Sequence, residues 1–180
     1  MVSIKIFVFN SFSVNGFVLY DETSECIVVD PGCHSDEEKH ELSDFIEQNN
    51  LKPVAVINTH FHIDHILGNH FVCSRYGLRL TGHPEGSMFW RTAREFGSVF
   101  KLDIDEVVKP EIMVVEGDLI TFGHSELEVR YTPGHADGSI CLVNHAQKFI
   151  IAGDVLFYGR IAGVRRGDGD ALGAQPRLEL

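Results

Sequence analysis

The sequence lacks the features that mark membrane proteins and exported proteins. No apolar run among its 180 residues approaches the roughly 20 residues that a membrane helix needs. The amino-terminal stretch Met-Val-Ser-Ile-Lys-Ile-Phe-Val-Phe alternates as a β-strand does, and it lacks the small-residue cleavage site of a signal peptide. We therefore expect a cytoplasmic protein with no membrane partner.

Basic charge is also scarce. The chain holds 15 lysine and arginine residues against 26 aspartate and glutamate residues, which gives a formal net charge of −11 at pH 7. A protein that binds a phosphate backbone needs a basic patch, and this balance argues against one. We therefore expect no nucleic-acid partner.

Cysteine chemistry and a serine nucleophile are absent as well. The four cysteines show no Cys-x-x-Cys spacing and are expected to be buried, reduced thiols without a catalytic role. These residues are Cys26, Cys33, Cys73 and Cys141. The chain also has no Gly-x-Ser-x-Gly elbow of the kind that presents a serine nucleophile.

The order of predicted elements is β-rich, α, β, α, α and then β-rich again. Apolar alternation and turn residues predict strands at residues 4–9, 16–20, 26–30, from 53, 79–81, 112–115, 119–122, 127–131, 140–143 and 149–152. The residues at 26–29 are apolar on both faces, as in a strand covered on both sides. This order predicts one α+β domain of two sheets packed face to face, with helices outside.

Three helices are predicted between the strands. The clearest spans residues 35–50, because Ser35 and Glu38 form a capping box at its start. A second is predicted over residues 66–76, with part of the preceding loop also helical, and a third over residues 84–96. The side chains of the third helix that we expect to face inward are Met88, Phe89 and Ala93.

Residues 58–65, which read Asn-Thr-His-Phe-His-Ile-Asp-His, concentrate metal-binding side chains after an apolar run. In an extended backbone, His60 and His62 point the same way and can converge on one point. Asp64 and His65 follow and can reach a second point beside it. Imidazoles and a carboxylate are ligands of zinc and also suit iron or manganese. A solvated loop is the alternative, but four potential ligands within six residues favour a metal site.

Three further polar turns follow predicted strands. Asp30 begins an Asp-Pro-Gly turn, His135 ends a Thr-Pro-Gly-His turn, and Asp154 follows a strand that ends in glycine. A strand end gives a side chain a rigid base and lets distant segments meet at one rim. Taken alone, each of these is more often only a turn, so the residues themselves leave both interpretations open.

Taken together and in this order, these motifs resemble those of the metallo-β-lactamase-fold hydrolases. His-x-His-x-Asp-His at residues 60–65 is similar to the signature of that family, and the Asp-Pro-Gly, Thr-Pro-Gly-His and Gly-Asp-Val-Leu-Phe motifs follow its order. The last two are most similar to the glyoxalase II-like branch, which cleaves thioesters. The resemblance implies an αββα sandwich over residues 1–158 and hydrolysis of a small thioester or ester.

The resemblance also implies a role for each matching residue. The implied ligands of the first metal are His60, His62 and His135, and those of the second are Asp64, His65 and Asp154, the last of which bridges both metals. Asp30 would lie beneath the metals and hold a ligand histidine. The expected cofactor is zinc at two sites, with iron or manganese as alternatives.

The implied chemistry needs no protein nucleophile. Two divalent ions roughly 3.5–4 Å apart lower the pKa of a bridging water to about 7, and the resulting hydroxide attacks a carbonyl carbon. Asp64 is the catalytic side chain in this interpretation, because it can orient the water or accept its proton as well as bind metal.

The chain departs from the family pattern after residue 158. The family continues to a closing strand, a helix and a last histidine that binds the second metal, but no histidine follows His145 here. Residues 159–180 hold five glycines and no aromatic residue, a composition typical of disorder. We therefore expect the closing strand and helix to be missing. We also expect the second metal site to be incomplete, so that the first fills at lower metal concentration.

Three functional interpretations follow. The first is a two-metal thioester hydrolase resembling glyoxalase II. The second is a mono-iron dioxygenase of thiols or persulfides on the same scaffold, for which His60, His135 and Asp154 would suffice. The third is a metal-retaining domain that is active only with another chain. The sequence does not address the oligomeric state.

Overall fold

The computed structural model of the protein describes residues 1–102, 104, 106–157 and 160–161. The strands are Ser3–Phe9 (β1), Val14–Tyr20 (β2), Glu25–Val29 (β3), Lys52–Ile57 (β4), Leu80–Gly82 (β5), Ile112–Met113 (β6), Leu119–Phe122 (β7), Ser125–Tyr131 (β8), Ile140–Asn144 (β9), Phe149–Ile151 (β10), Leu156–Phe157 (β11) and Arg160–Ile161 (β12). The helices are Asp36–Gln48 (α1), Ile63–Ile66 (α2), Asn69–Tyr76 (α3) and Ser87–Val99 (α4). A 3₁₀ turn, Pro84–Gly86, precedes α4.

The first sheet sets the position of the metal loop. Its six strands follow the order β1-β2-β3-β4-β5-β6, antiparallel from β1 to β3 and parallel from β3 to β6. Parallel neighbours need a crossover, which α1 provides between β3 and β4. The carboxyl ends of β3 and β4 therefore lie at one edge, where the Asp30 amide donates to the Ile57 carbonyl over 2.9 Å.

The second sheet packs on the first and is antiparallel throughout, in the order β10-β9-β8-β7. Strand β3 is buried on both faces. Its Cys26 and Val28 pack in the cluster that includes side chains of α1, α3 and α4. Its Ile27 and Val29 pack with residues of the second sheet. The two sheets with helices outside confirm the predicted α+β sandwich.

Helix α1 forms as its capping box predicts. The Ser35 hydroxyl accepts from the Glu38 amide at 3.3 Å, and the Glu38 carboxylate accepts from the Ser35 amide at 3.1 Å. The helix buries Leu42 and Ile46 against the first sheet. The part of the metal loop that we expected to be helical is α2, which carries Asp64.

The inward face predicted for α4 is wrong at Met88. Ala93 is buried and Phe89 is half-buried, but Met88 is 65% exposed. Phe96 and Val99 are also exposed, so the apolar side of this helix is wider than the surface that it buries. Helical periodicity locates the apolar side of a segment, but it does not indicate which part of a broad apolar side is buried.

Several sequence predictions concern residues beyond 157. Apart from β12, the structure does not describe residues 158–180. The predicted absence of a closing strand and helix, and the predicted disordered tail, therefore lie outside the described residues. Within the described part of the chain, no helix is long and apolar enough to cross a membrane. The cytoplasmic location and the domain boundary at residue 158 stay predictions.

Asp21 joins the turn between β2 and β3 to the turn between β7 and β8. One carboxylate oxygen accepts from the Thr23 amide at 3.0 Å and from the Thr23 hydroxyl at 2.6 Å. The other accepts from the His124 amide at 2.7 Å and from the Ser125 hydroxyl at 2.8 Å. Burial opposes ionisation, but these four hydrogen bonds outweigh it and hold the pKa of Asp21 below its ordinary range.

Replacing Asp21 with asparagine is expected to lower the free energy of unfolding by about 2 kcal/mol at pH 7. A carboxyl whose pKa is lowered in the folded state stabilises the protein above its unfolded pKa of about 3.9, and this stabilisation is lost as the pH falls towards the folded value. The deficit of the variant should therefore shrink below about pH 4. Urea unfolding at pH 7 and at about pH 3.5 measures it. Asp44→Asn, at an exposed position of α1, is the control, and an equal deficit at both pH values would contradict the prediction.

Candidate metal centre

The metal loop, residues 58–65, follows β4 directly, and its last three residues form the start of α2. Asn58 ties its ends together. The side-chain Nδ2 of Asn58 donates to the backbone carbonyl of His65 at 3.0 Å, and its side-chain Oδ1 accepts from Nδ2 of Asn69 at 2.7 Å. Because these groups are buried, each bond also satisfies a polar atom that water does not reach. The loop is therefore closed before any metal binds.

Three imidazoles converge above this loop, and we call His60, His62 and His135 the histidine trio. The distance from His60 Nε2 to His62 Nδ1 is 3.2 Å, and that from His135 Nε2 to His62 Nδ1 is 2.9 Å. One nitrogen from each side chain lies within 4.8 Å of the other two. The turn after β8 thus brings His135 to the metal loop, across 73 residues of sequence from His62.

A second group of mutually close donor atoms comprises His60, His65 and Asp154. Asp154 also approaches the histidine trio. Its Oδ1 is 3.4 Å from His65 Nε2, and its Oδ2 is 3.5 Å from His135 Nε2. Gly153 permits this placement because its φ is 50° and a Cβ there would collide with the Thr59 side chain. The carboxylate therefore lies where the resemblance implies a bridging ligand.

Asp64 lies at the edge of the second group. Its Oδ2 is 3.7 Å from His65 Nε2, and its side chain is 21% exposed. Among the described residues it joins neither group of mutually close donors. The structure thus brings Asp64 beside the site, and its roles as ligand and as catalytic carboxylate stay predictions.

Asp30 is fully buried beneath the second group. Its Oδ1 accepts from the Thr59 amide at 2.7 Å, and its Oδ2 accepts from the Thr59 hydroxyl at 2.6 Å. Oδ2 is also 3.1 Å from Nδ1 of His65, close enough for the carboxylate to fix the orientation of that ring. The backbone of Asp30 has φ 48°, in the left-handed region, a strain of the kind that collects at functional sites.

The histidine trio is neutral at pH 7. Burial opposes the charged form of His60 and keeps its pKa well below the ordinary value, and the neighbouring histidines add to this effect. Burial, followed by the proximity of His135, lowers the pKa of His62 to about 4. The pKa of His135 is also lowered, mainly by burial. A neutral imidazole donates a lone pair to metal, so the trio is ready to bind a cation.

His65 is in the opposite charge state. Burial opposes its protonation, but Asp30 and Asp154 outweigh burial and raise its pKa to about 10. Burial likewise opposes ionisation of Asp154, yet contacts with His65 and His135 lower the pKa of that carboxyl. Nε2 of His65, which faces Asp154, makes no hydrogen bond within the described part of the chain. A buried imidazole nitrogen in this position, beside a carboxylate and neutral imidazoles, fits a divalent cation in place of the proton.

Two features of the site were not identified from the sequence. The sequence pattern indicates no role for Asn58 and Thr59, which hold the metal loop together and donate hydrogen bonds to Asp30. Their signal is the abrupt change from an apolar strand to two polar residues. Phe89 of α4 lies edge-on to His62 at 4.9 Å between ring centroids, a long-range contact that no local pattern indicates.

The sequence pattern of the metallo-β-lactamase superfamily matches residues 11–178. The chain belongs to this superfamily, and the family predicted from the order of the motifs is confirmed. The match runs past residue 158, where the motif resemblance ended. Membership also confirms the sandwich fold, whereas the ligand assignments and the identity of the metal stay predictions.

Two curated relatives are named for hydrolysis. A hydroxyacylglutathione hydrolase from Francisella philomiragia is 33% identical over 165 residues, which are 91% of this chain and 56% of that protein. The probable metallo-hydrolase YqgX from Bacillus subtilis is 32% identical over 146 residues, which are 81% of this chain and 66% of that protein. The chain therefore spans less than two thirds of the length of either relative.

A solved structure supports the same fold. TTHA1623 in a di-iron-bound form superposes with a TM-score of 0.74 at 20% sequence identity. The superposition covers 93% of this chain and 79% of that chain. At this identity the similarity shows the fold alone, and the iron belongs to that protein.

Proposed function

We propose that this chain is a metal-dependent hydrolase that cleaves a small thioester or a related ester. The observation that carries the proposal is the meeting of the histidine trio with His65 and Asp154 at one rim of the sandwich. In the proposal the trio would hold one ion, and His65 and Asp154, with Asp64 beside them, would hold a second. A pair of divalent ions bound there would supply hydroxide near neutral pH and polarise a carbonyl group.

The surrounding side chains orient these ligands and handle the proton. Asp154 places one carboxylate oxygen near His65 and the other near His135, so it could bind to both ions. Asp30 fixes the ring of His65 from below. Asp64 is partly exposed beside His65, where its carboxylate can accept the proton of the attacking water. The donor set favours zinc and also suits iron or manganese.

The proposed substrate class rests on the relatives and on charge. The hydroxyacylglutathione hydrolase is a small-molecule thioesterase by name, and it aligns with nine tenths of this chain. The net charge of −11 disfavours a polyanionic substrate such as nucleic acid. Both observations therefore favour a small thioester as the substrate.

The proposal is tested by comparing metal-free protein with protein reconstituted with zinc or iron. The loaded protein should hydrolyse S-lactoylglutathione or a simpler thioester faster than bis(p-nitrophenyl) phosphate, and chelation should abolish this activity. Both substrates are to be tested on the full chain under identical conditions. Phosphodiester hydrolysis that exceeds thioester hydrolysis would refute the proposal.

A second candidate, a mono-iron dioxygenase of thiols or persulfides, is favoured by one observation. His60, His65 and Asp154 form a group of two histidines and one carboxylate, the ligand type of non-haem iron oxygenases. His65 stands in this group where the sequence interpretation used His135. One iron per chain, with oxygen uptake on glutathione persulfide and without thioester hydrolysis, would replace the first proposal with this one.

A further inference from the structure

An apolar cavity of about 320 Å³ opens beside the metal centre. His62 and Asp64 form part of its wall, so a group bound in the cavity lies directly next to the metal-binding side chains. Pockets that bind small molecules have volumes of about 300 Å³ or more, which places this one at the small end of the range. The apolar side chains that line it include Phe12, Phe61, Ile63, Phe89, Phe96 and Phe100.

The inner wall of the cavity is rigid. Phe61, inside the metal loop, is 1% exposed, and a Cβ at Gly82 or at Gly86 would collide with its ring. Those two glycines therefore make room for the phenylalanine. Phe89 packs edge-on against the imidazole of His62, which joins this wall to the histidine trio. Side chains fixed in this way present a preformed surface and do not need to be ordered by a ligand.

The outer rim comes from the turn between β1 and β2 and from the end of α4. Phe12 in the turn meets Phe100 edge-on, with ring centroids 5.5 Å apart. Asn10 fixes the turn, because its side-chain amide donates to the carbonyls of Gly32 and Asp64, each over 2.9 Å. The rim is thus tied to the same loop that carries the metal-binding residues.

The charge of the cavity lining disfavours binding of an anionic ligand. Among the described residues that line the cavity, Asp64 is the only charged side chain, and none is a lysine or an arginine. Phe12, Phe96 and Phe100 are 43%, 52% and 51% exposed, which leaves apolar surface open to a ligand. A neutral apolar group gains free energy by covering such surface, whereas a carboxylate would lose hydration and face Asp64.

We propose that this cavity binds the acyl chain of the substrate, so that the preferred substrates are thioesters of medium-length apolar acids. This inference rests on the hydrolase function proposed above and specifies its substrate class. The acyl chain is attached to the carbonyl carbon under attack, which must lie near the donor atoms of the metal centre, and the cavity begins at His62 of the histidine trio and at the adjacent Asp64. A polar, charged thiol such as glutathione then lies outside the cavity.

The first test uses thioesters of N-acetylcysteamine with acetyl, butanoyl, hexanoyl and octanoyl groups on the zinc-loaded full chain. We expect kcat/KM to rise by about fourfold for each fully buried methylene until the cavity is filled. Values of kcat/KM that do not depend on acyl length would overturn the inference. The same holds if, in a parallel series of acetyl thioesters, kcat/KM rises only as the thiol is lengthened. Absence of turnover with every thioester, acetyl included, would instead refute the hydrolase proposal.

The second test changes the rim of the cavity. Phe96→Ser should lower the ratio of octanoyl to acetyl kcat/KM by at least about tenfold, because it removes an apolar wall. Met88→Ser is the matched control, since Met88 is exposed on the same helix and does not line the cavity. The control should keep the wild-type ratio. Equal ratios in Phe96→Ser and in the control would overturn the inference.

A binding measurement needs no turnover. Ketone analogues, in which a methylene replaces the thioester sulfur, are titrated into metal-free protein by calorimetry. The analogue of the octanoyl thioester should bind at least about tenfold more tightly than that of the acetyl thioester, and Phe96→Ser should reduce this difference. Equal affinities for both analogues would show that the cavity does not receive the acyl chain.

Discussion

Replacing His135 with alanine is expected to remove the tighter of two zinc-binding phases and to lower thioester turnover by at least about 100-fold. Loss of a residue that merely orients a ligand costs about 10–100-fold in metal affinity or activity, and loss of a ligand costs more. Both donor groups include His60, which would offer one nitrogen to only one of the two ions, so we expect the two wild-type sites to differ in affinity. Calorimetric titration of metal-free protein with zinc, alongside a thioester assay, measures both effects.

The matched control for this variant is His145→Ala. His145 is a histidine in the turn between β9 and β10, its side chain is 72% exposed, and its contact is with Glu128 rather than with the site. It should retain both zinc phases and the wild-type rate. If His135→Ala binds zinc in the same two phases as this control, the proposed role of the histidine trio is wrong.

Replacing Asp30 with alanine is expected to lower the free energy of unfolding of the metal-free protein by about 3–5 kcal/mol at pH 7. The variant leaves the buried, charged His65 with one carboxylate partner fewer and removes the acceptor of the Thr59 amide and of the Thr59 hydroxyl. Zinc affinity should also fall by about 10–100-fold, because the His65 ring loses its orienting contact. Urea unfolding followed by circular dichroism, and zinc titration against a competing chelator, measure the two effects.

Asp30→Asn separates charge from shape at the same position. Asparagine keeps an oxygen acceptor and tolerates the left-handed backbone at φ 48°, so its loss of stability should be smaller than that of alanine. Its zinc affinity should still fall, since a neutral amide holds His65 less strongly than a carboxylate does. If both variants bind zinc as tightly as the wild type, Asp30 acts only as a turn former.

Local patterns in the sequence determine much of the fold. The capping box of Ser35 and Glu38 starts α1 because it satisfies backbone amides within a single turn of the chain. The apolar run that becomes β3 predicts burial on both faces, and the structure covers both. The density of ligand side chains at residues 58–65 likewise needs no partner segment to indicate a metal site.

Long-range packing decided the rest. The meeting of His135 with His62, the position of Asp30 beneath His65, and the wall that α4 forms beside the metal centre depend on how strands and helices assemble across the chain. The exposure of Met88 could not be predicted from periodicity, because the apolar side of α4 is wider than the part that is buried. Periodicity reports that a segment has an apolar face, whereas the side chains contributed by distant segments decide which face is buried and which one borders a cavity.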